Sequence, residues 1–430
     1  MKKVLVLGAG LVSGPLVEYL LERGYRLTVA SRTLSKARMI IGDHENGFAV
    51  RFDITDEHDI GDLVKDHDVV ISLLPYVHHV DVAKVCIEKC VSMVTTSYVS
   101  EEMRSLDLGA KEAGIILLNE MGLDPGIDHM EAQRVIDEVH EKGGKVLDFI
   151  SYCGGLPAPE ANTNPWGYKF SWSPKGVVLA SKNSARFRRD GKIVEIPGEE
   201  LFGHYEIVDI SDIGEFEGYP NRDSIPYAGI YNIPEARTVL RGTLRNIGWC
   251  DTWKALHDIG LLEEMPLRGT TYREMIDDML PGEGDIEYRL RCEIETRDDD
   301  TAISNMEWLG LLSENPLPDV STRQDALSYL LESQLQYGER ERDMIILQHR
   351  FRISVDGEER SLSSTMVDYG RPGGESAMSR TVGLPAAIGA DMILSGDLDG
   401  ESGVMIPTLP KIYLPALDRL ARLGIEFINA

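Results

Sequence analysis

"MKKVLVLGAGLVSGP", residues 1–15, governs how the rest of the chain is read. The apolar run Val4–Leu7 suits one short buried strand, and Gly8-Ala9-Gly10 ends it in a tight turn. A helix-like stretch, Leu11–Arg23, follows and is stopped by Gly24. Glycines at 8 and 10 let the backbone approach a pyrophosphate, which then lies at the positive N-terminus of the helix. Ser13 takes the third small position, with Gly14 and Pro15 beside it. A Gly-x-Gly-x-x-small pattern is a weak signal by itself. Placed between a strand and a helix, at the head of a series of such units, it points to a dinucleotide site rather than a plain turn.

The next strand leads into "RLTVASRTLSK", residues 26–36. An NAD site carries an Asp or Glu here, which holds the ribose 2′-hydroxyl and repels a 2′-phosphate. This chain has Ser31, Arg32 and Thr33 instead. An arginine pairs with a phosphate, and two hydroxyls add hydrogen bonds. The expected cofactor is therefore NADP(H), with Lys36 as a further cation. Asp53, after the third strand, is a candidate for the adenine edge. The alternative for Arg32 is an ordinary solvated surface residue.

Outward from this site, short apolar runs recur at Leu27–Ala30, Ala49–Phe52, Val69–Leu74, Met93–Thr96 and Ile115–Leu118. Helical stretches such as Val80–Lys89 and Glu101–Ala113 separate them. Strand–helix–strand repetition predicts a doubly wound parallel sheet of Rossmann type, with right-handed crossovers. Near residue 143 the pattern changes. "KVLDFISYCGG" reads as a strand, and Asp190-Gly191 and Asp356-Gly357 mark the turns of two hairpins. The fold class is thus α/β, with a second α+β domain containing a mainly antiparallel sheet and a small helical subdomain. The expected domains are 1–125, completed by about 376–430, for the cofactor; 126–230 and 337–375 for substrate binding and dimerisation; and a mostly helical 231–336.

At 430 residues the chain is long enough for two or three domains. Its formal charge of −27 argues against nucleic acid or an anionic membrane as partner. An anionic ligand would need a local cluster of basic side chains. Five cysteines without paired or metal-ligand spacing fit a reducing cytoplasm and predict no metal. Lys2-Lys3 and the apolar run after it superficially mimic a signal peptide, but the run is short and breaks at the glycine turn. The cytoplasm is the expected location.

Four stretches have compositions that packing does not explain. "TTSYVSEE" ends the fifth strand, at the carboxyl edge where open α/β sheets bind ligands. "NEMGLDPGIDHM" ends the sixth, with Asp124 and Asp128 beside Gly-Pro turn residues. "YPNRDSIPY" and "RGTLR" place Arg222, Arg241 and Arg245 in a chain short of positive charge. Together they suggest a polar site for a multi-carboxylate ligand. The bland alternatives are a turn or cap role for Asp124 and surface ion pairs for the arginines. Tyr98, Asp124 and His129 are candidates for general acid or base, with Asp124 preferred and His129 more consistent with structure. His78-His79 reads as the end of a solvated turn. Lys169 and Ser171 could reach a ligand carboxylate, although structural roles suit them better.

"TSYVSEEM", "NEMGLDPGIDH", "SYCGGLPAPE", "GYKFSWSPKGV", "YPNRDS", "IPEARTVLRGTLR", "ERDMIILQHRF" and "VDYGRPGG" closely resemble the saccharopine dehydrogenases that form L-glutamate. The likeness runs from Val4 to about Gly400. It implies an NADP(H)-dependent enzyme of lysine metabolism, including lysine biosynthesis, that interconverts saccharopine with L-glutamate and α-aminoadipate semialdehyde, and a homodimer. It places the pyrophosphate at Gly10, Leu11 and Val12, and the 2′-phosphate at Ser31, Arg32 and Thr33. Leu74 and Pro75 would line the nicotinamide side. Ser97, Tyr98, Asp124, Arg222 and Thr243, Leu244 and Arg245 match substrate contacts of the family. Leu123 to Pro125 and Cys153 match walls shared by cofactor and substrate. Before Arg32 the family carries cysteine where this chain has Ser31, a change that leaves the phosphate reading intact. The competing readings are a sister imine reductase of carboxynorspermidine or lysine 6-dehydrogenase type, and a non-catalytic NADPH sensor.

Overall fold

The computed structural model describes residues 1–55, 60–172 and 174–429. Its backbone separates into two compact units, Met1–Gly144 with Met366–Asn429, and Lys145–Thr365.

The first unit opens with β1 (Lys3–Leu7), α1 (Gly14–Glu22), β2 (Arg26–Ser31), α2 (Leu34–Ile41), β3 (Gly47–Arg51) and α3 (Ile60–Lys65). It continues through β4 (Val69–Ser72), α4 (His79–Lys89), β5 (Ser92–Thr95), α5 (Glu101–Ser105), α6 (Asp107–Glu112), β6 (Ile116–Leu118) and α7 (Ile127–Glu141). Strand β4 stops at Ser72, so Leu74 lies beyond the strand in which the sequence places it. The single helix expected over 101–113 is broken at Leu106 into α5 and α6. Every strand pair in this sheet is parallel, in the order β3-β2-β1-β4-β5-β6. The order reverses between β1 and β4, and such a switch point leaves a crevice at the carboxyl ends of the strands. Leu5, Leu7, Val70, Met93 and Leu117, none of them exposed, meet Val82, Ala83 and Cys86 from α4 in the core.

The second unit contains β7 (Lys145–Pro157), α8 (Pro174–Ala180), β8 (Ala185–Arg189), β9 (Lys192–Ile196), β10 (Glu206–Ile210), β11 (Gly214–Pro220), α9 (Tyr227–Ile230) and β12 (Thr238–Arg245). Five helices follow: α10 (Trp249–Asp258), α11 (Tyr272–Met279), α12 (Ile286–Glu293), α13 (Asp299–Leu309) and α14 (Arg323–Gln334). The long hairpin β13 (Asp343–Val355) and β14 (Glu358–Tyr369) closes the run. The sheet order is β10-β11-β12-β7-β13-β14, with the β8-β9 hairpin against β12. Its pairs β10–β11, β11–β12, β7–β13 and β8–β9 are antiparallel, while β12–β7 is parallel. Helices α11 to α14 each start at a Thr or Asp whose side chain accepts an N–H of the first turn, the local reason these polar segments become helical.

The expected limits shift in three places. The unit changes after Gly144, not at 125, because α7 continues directly from the β6 turn. The helical stretch starts at Trp249, not at 231, because Thr238–Arg245 is a sheet strand. The chain returns to the first unit at Met366, ten residues ahead of the expected 376.

From Met366 the chain belongs to the first unit again, with α15 (Ala377–Ser395), β15 (Gly403–Met405) and α16 (Pro410–Arg422). Strand β15 extends the parallel sheet beyond β6, with Val404 opposite Leu117. Gly383 of α15 allows a close approach to the glycine turn, since a Cβ there would stand 2.5 Å from the Val12 carbonyl oxygen. Among the described residues no helix is long and apolar enough to cross a membrane.

Candidate functional site

In the first unit, the turn after β1 borders a cleft of about 260 Å3. Gly8, Gly10, Ser31, Arg32, Thr33, Lys36, Asp53, Leu74 and Pro75 all line it. The two glycines serve different ends. Gly8 has φ +113°, and a Cβ on it would stand 2.9 Å from the Leu73 carbonyl oxygen, so the fold itself requires glycine. At Gly10 a Cβ would meet no atom within 4 Å, so packing does not explain the residue. The space beside it is open to a ligand. Ser13 secures the turn by donating to the Gly10 carbonyl at 2.7 Å.

Arg32 is exposed and makes no ion pair or side-chain hydrogen bond among the described residues. Beside it, Thr33 is the N-cap of α2, yet its hydroxyl takes no part in the cap. Ser31 Oγ accepts the Thr33 N–H at 3.3 Å. A guanidinium, two hydroxyls and a helix N-terminus thus converge, which is the donor set that a phosphate needs. These residues fit NADP(H). The Asp53 pKa is lowered, chiefly because its Oδ1 accepts the Thr55 N–H and hydroxyl, with smaller help from Arg32 and Arg51. Leu11 is exposed beside the cleft, whereas Leu123 and Pro125 are buried in the turn after β6 and do not line it.

That turn forms a second centre. Tyr98 donates its hydroxyl to Asp124 Oδ1 at 2.8 Å, joining the ends of β5 and β6. The peptide before Pro125 is cis. Gly126, at φ +147°, lies so close to Gly122 that a Cβ would stand 2.0 Å from its carbonyl oxygen. Asp128 Oδ1 accepts the Gly126 N–H at 2.6 Å. His129 is fully buried with Nε2 2.6 Å from Glu120 Oε2, and Glu120 Oε1 accepts the Val99 N–H at 2.9 Å. Of the three acid–base candidates, Tyr98 and Asp124 are brought together, while His129 is held by Glu120.

His79 does not end a solvated turn. It is 4% exposed, with Nδ1 2.9 Å from Ser72 Oγ and Nε2 2.9 Å from Ser97 Oγ and 3.1 Å from Thr95 Oγ1. Burial, and then the neighbouring His78, pull its pKa down to about 4, so the ring is neutral at pH 7. The hydroxyl of Ser97, singled out from sequence, is therefore oriented by an imidazole that sequence alone assigned to solvent. The missed signal is the spacing of Ser72, Thr95 and Ser97 at the ends of adjacent strands.

In the second unit, β12 carries Thr243, Leu244 and Arg245. Thr243 stands in register with Cys153 of β7 and Tyr219 of β11. Leu244 is fully buried, and its Cβ would stand 2.8 Å from one placed on Gly154. Arg245 is 7% exposed and lies over two rings, 5.0 Å from the centroid of Tyr168 and 5.3 Å from that of Trp249. Its Nη1 donates to the Leu244 carbonyl at 2.8 Å, and no carboxylate pairs with it among the described residues. Glu217 holds this corner by accepting the Gly248 and Cys250 N–H groups at 2.8 and 2.7 Å. Arg241 is committed to Tyr227, donating to its hydroxyl at 2.5 Å. Arg222 is exposed at φ +54°, in the turn after β11. Lys169 is bound to both oxygens of Glu341 at 2.6 Å and to Thr163 at 2.9 Å, which gives it a structural role. Among the described residues no group of three or more His, Cys, Asp or Glu side chains is placed to hold a metal.

The chain matches two family models: the saccharopine dehydrogenase NADP binding domain over residues 4–118 and the saccharopine dehydrogenase C-terminal domain over 122–425. It is 41% identical to the saccharopine dehydrogenase [NADP(+), L-glutamate-forming] of Schizosaccharomyces pombe, over 99% of this chain and 98% of that one. The Saccharomyces cerevisiae protein of the same name is 41% identical over 97% and 96%. The mitochondrial alpha-aminoadipic semialdehyde synthase of Mus musculus is 39% identical over 99% of this chain and 47% of its own length. Among solved structures, the apo saccharopine dehydrogenase (L-Glu forming) from Saccharomyces cerevisiae superposes with a TM-score of 0.93 and 40% identity, covering 100% of this chain and 99% of that one. With its NADP-site geometry, its fold and its full-length likeness in agreement, this chain belongs to the saccharopine dehydrogenase family.

Proposed function

We propose that this chain is an NADP(H)-dependent oxidoreductase that interconverts saccharopine with L-glutamate and α-aminoadipate semialdehyde. Beyond family membership, the observation that carries the reading is Arg245. A buried guanidinium with no carboxylate partner among the described residues, in a chain with 71 acidic and 44 basic residues, is a receptor for a carboxylate from outside the chain. Saccharopine has three carboxylates and a secondary amine.

Bound NADP+ supplies a hydride acceptor. Gly10, Leu11 and Val12 hold the pyrophosphate at the start of α1, and Ser31, Arg32 and Thr33 hold the 2′-phosphate, with Asp53 at the adenine side. Leu74 and Pro75 flank the nicotinamide. Arg245, Thr243, Leu244 and Arg222 bind substrate carboxylates. Ser97, Tyr98 and Asp124 bind the amine side, and Asp124, oriented by Tyr98, takes and returns its proton. Leu123, Pro125 and Cys153 supply the remaining contacts expected from the family. The same reading makes the chain a cytoplasmic homodimer of lysine metabolism, and five cysteines free of disulfides agree with a reducing compartment.

The test follows absorbance at 340 nm with saccharopine plus NADP, and with NAD in parallel. Strong NADPH formation with little NADH is the expected result. Silence with both, from a protein that still binds NADPH, would remove saccharopine as the substrate.

A further inference from the structure

We propose that Tyr337 and Trp249 are specificity-determining residues of the second unit, whose hydroxyl and indole N–H complete with Arg245 a receptor for one substrate carboxylate. This inference rests on the function proposed above.

Arg245 Nε, Trp249 Nε1 and the Tyr337 hydroxyl are all buried, and none has a hydrogen-bond partner among the described residues. Buried polar groups are nearly always paired, so three unmet donors in one neighbourhood need a reason. They share a frame built around Tyr168. The Tyr168 and Trp249 ring centroids are 4.6 Å apart, and the Arg245 guanidinium lies over both rings. Two residues along, Phe170 donates its N–H to the Leu335 carbonyl at 2.8 Å, which brings the segment leading to Tyr337 alongside. Between them Lys169 Nζ lies 6.0 Å from the Tyr337 ring centroid, its charge matched by Glu341.

The chemistry is one-sided. Arg245 and the Trp249 indole can only donate. Burial first, then Asp343, Tyr168 and Glu341, push the Tyr337 pKa far up, while Arg245 alone opposes them. The phenol therefore remains an O–H donor at any working pH. Three donors and one positive charge are the complement of a carboxylate, which accepts at both oxygens, and they would leave an amine or an apolar group unmatched. Trp253, whose ring centroid is 5.2 Å from that of Trp249, has a similarly unmet N–H, but the rings that Arg245 lies over are those of Tyr168 and Trp249.

Tyr337→Phe keeps the ring and removes the donor. The expected result is a KM for saccharopine raised about tenfold, as befits a lost hydrogen bond to a charged group. The loss sits in KM rather than kcat, the KM for NADP stays as it was, and the ligand-free variant melts no lower than wild type. A saccharopine KM within twofold of wild type overturns the proposal, as does a fall in melting temperature with equal losses for both substrates. If wild type fails to turn over saccharopine, the receptor is tested separately with glutarate and L-glutamate. Stabilisation of wild type but not of Tyr337→Phe by either probe upholds the carboxylate site, and no stabilisation of wild type refutes it.

Discussion

The Tyr98 hydroxyl donates to Asp124 Oδ1 at 2.8 Å, across the ends of two neighbouring parallel strands. A hydrogen bond to a carboxylate contributes about 1.5–3 kcal/mol when its charge is retained. Tyr98→Phe should therefore lower kcat/KM for saccharopine at least tenfold and leave the dissociation constant for NADPH unchanged. Steady-state kinetics beside a fluorescence titration of NADPH separate the two. Equal losses in both would assign the pair to folding instead.

Gly8 and Gly10 should separate on substitution. Gly10→Ala meets no protein atom and needs no unusual backbone angle, so its melting temperature should match or exceed wild type while NADPH binding weakens more than tenfold. Gly8→Ala forces a strained backbone and a 2.9 Å approach to Leu73, and should lower the melting temperature itself.

Arg32→Asp reverses the charge facing the 2′-phosphate and restores the carboxylate that NAD sites use. The ratio of kcat/KM for NADP over NAD should fall roughly a hundredfold, the size expected from losing one or two charge-assisted hydrogen bonds. An unchanged ratio would take Arg32 out of the phosphate site.

His79 makes stability depend on pH in a fixed direction. Its folded pKa of about 4 lies below the ordinary 6.5, so below pH 6.5 the unfolded chain binds the proton more readily. The contribution is fully present above pH 6.5 and is lost as pH falls toward 4. It amounts to about 3 kcal/mol across the whole window and about 2 kcal/mol between pH 7 and 5. Urea unfolding of wild type and His79→Asn at those two pH values checks it: the wild type should lose about 2 kcal/mol more. Parallel losses would mean that the ring carries no such linkage.

Asp391 of α15 ties the returning tail to the start of the chain. It accepts from Tyr25 at 2.6 Å and Arg419 at 2.9 Å, and pairs with Arg23 at 3.2 Å, while itself nearly inaccessible. Asp391→Ala strands these donors and should destabilise the first unit by about 3 kcal/mol in urea titration, with substrate KM unaffected in the protein that remains folded.

Much of this molecule follows from local chemistry. The glycine turn, the alternation of strands and helices, the two Asp-Gly hairpins and the Arg32 neighbourhood all depend on residues a few positions apart, whose preferences act through φ, ψ and burial period. What tertiary structure decided involves partners far apart in sequence. Strand β12 lies in a stretch otherwise rich in helices, and it is a strand because β7, some ninety residues earlier, pairs with it in parallel. The tail adds β15 to the sheet only because the edge of β6 is there to receive three residues that are too few to signal a strand. His79 follows a half-buried histidine in sequence, and it is only the fold that buries its ring against Ser72, Thr95 and Ser97, a burial that pulls its pKa down. Arg245 read equally well as a surface ion pair. Tyr168 and Trp249 cover it, no acid among the described residues pairs with it, and that desolvation is what makes an ordinary arginine the candidate carboxylate receptor.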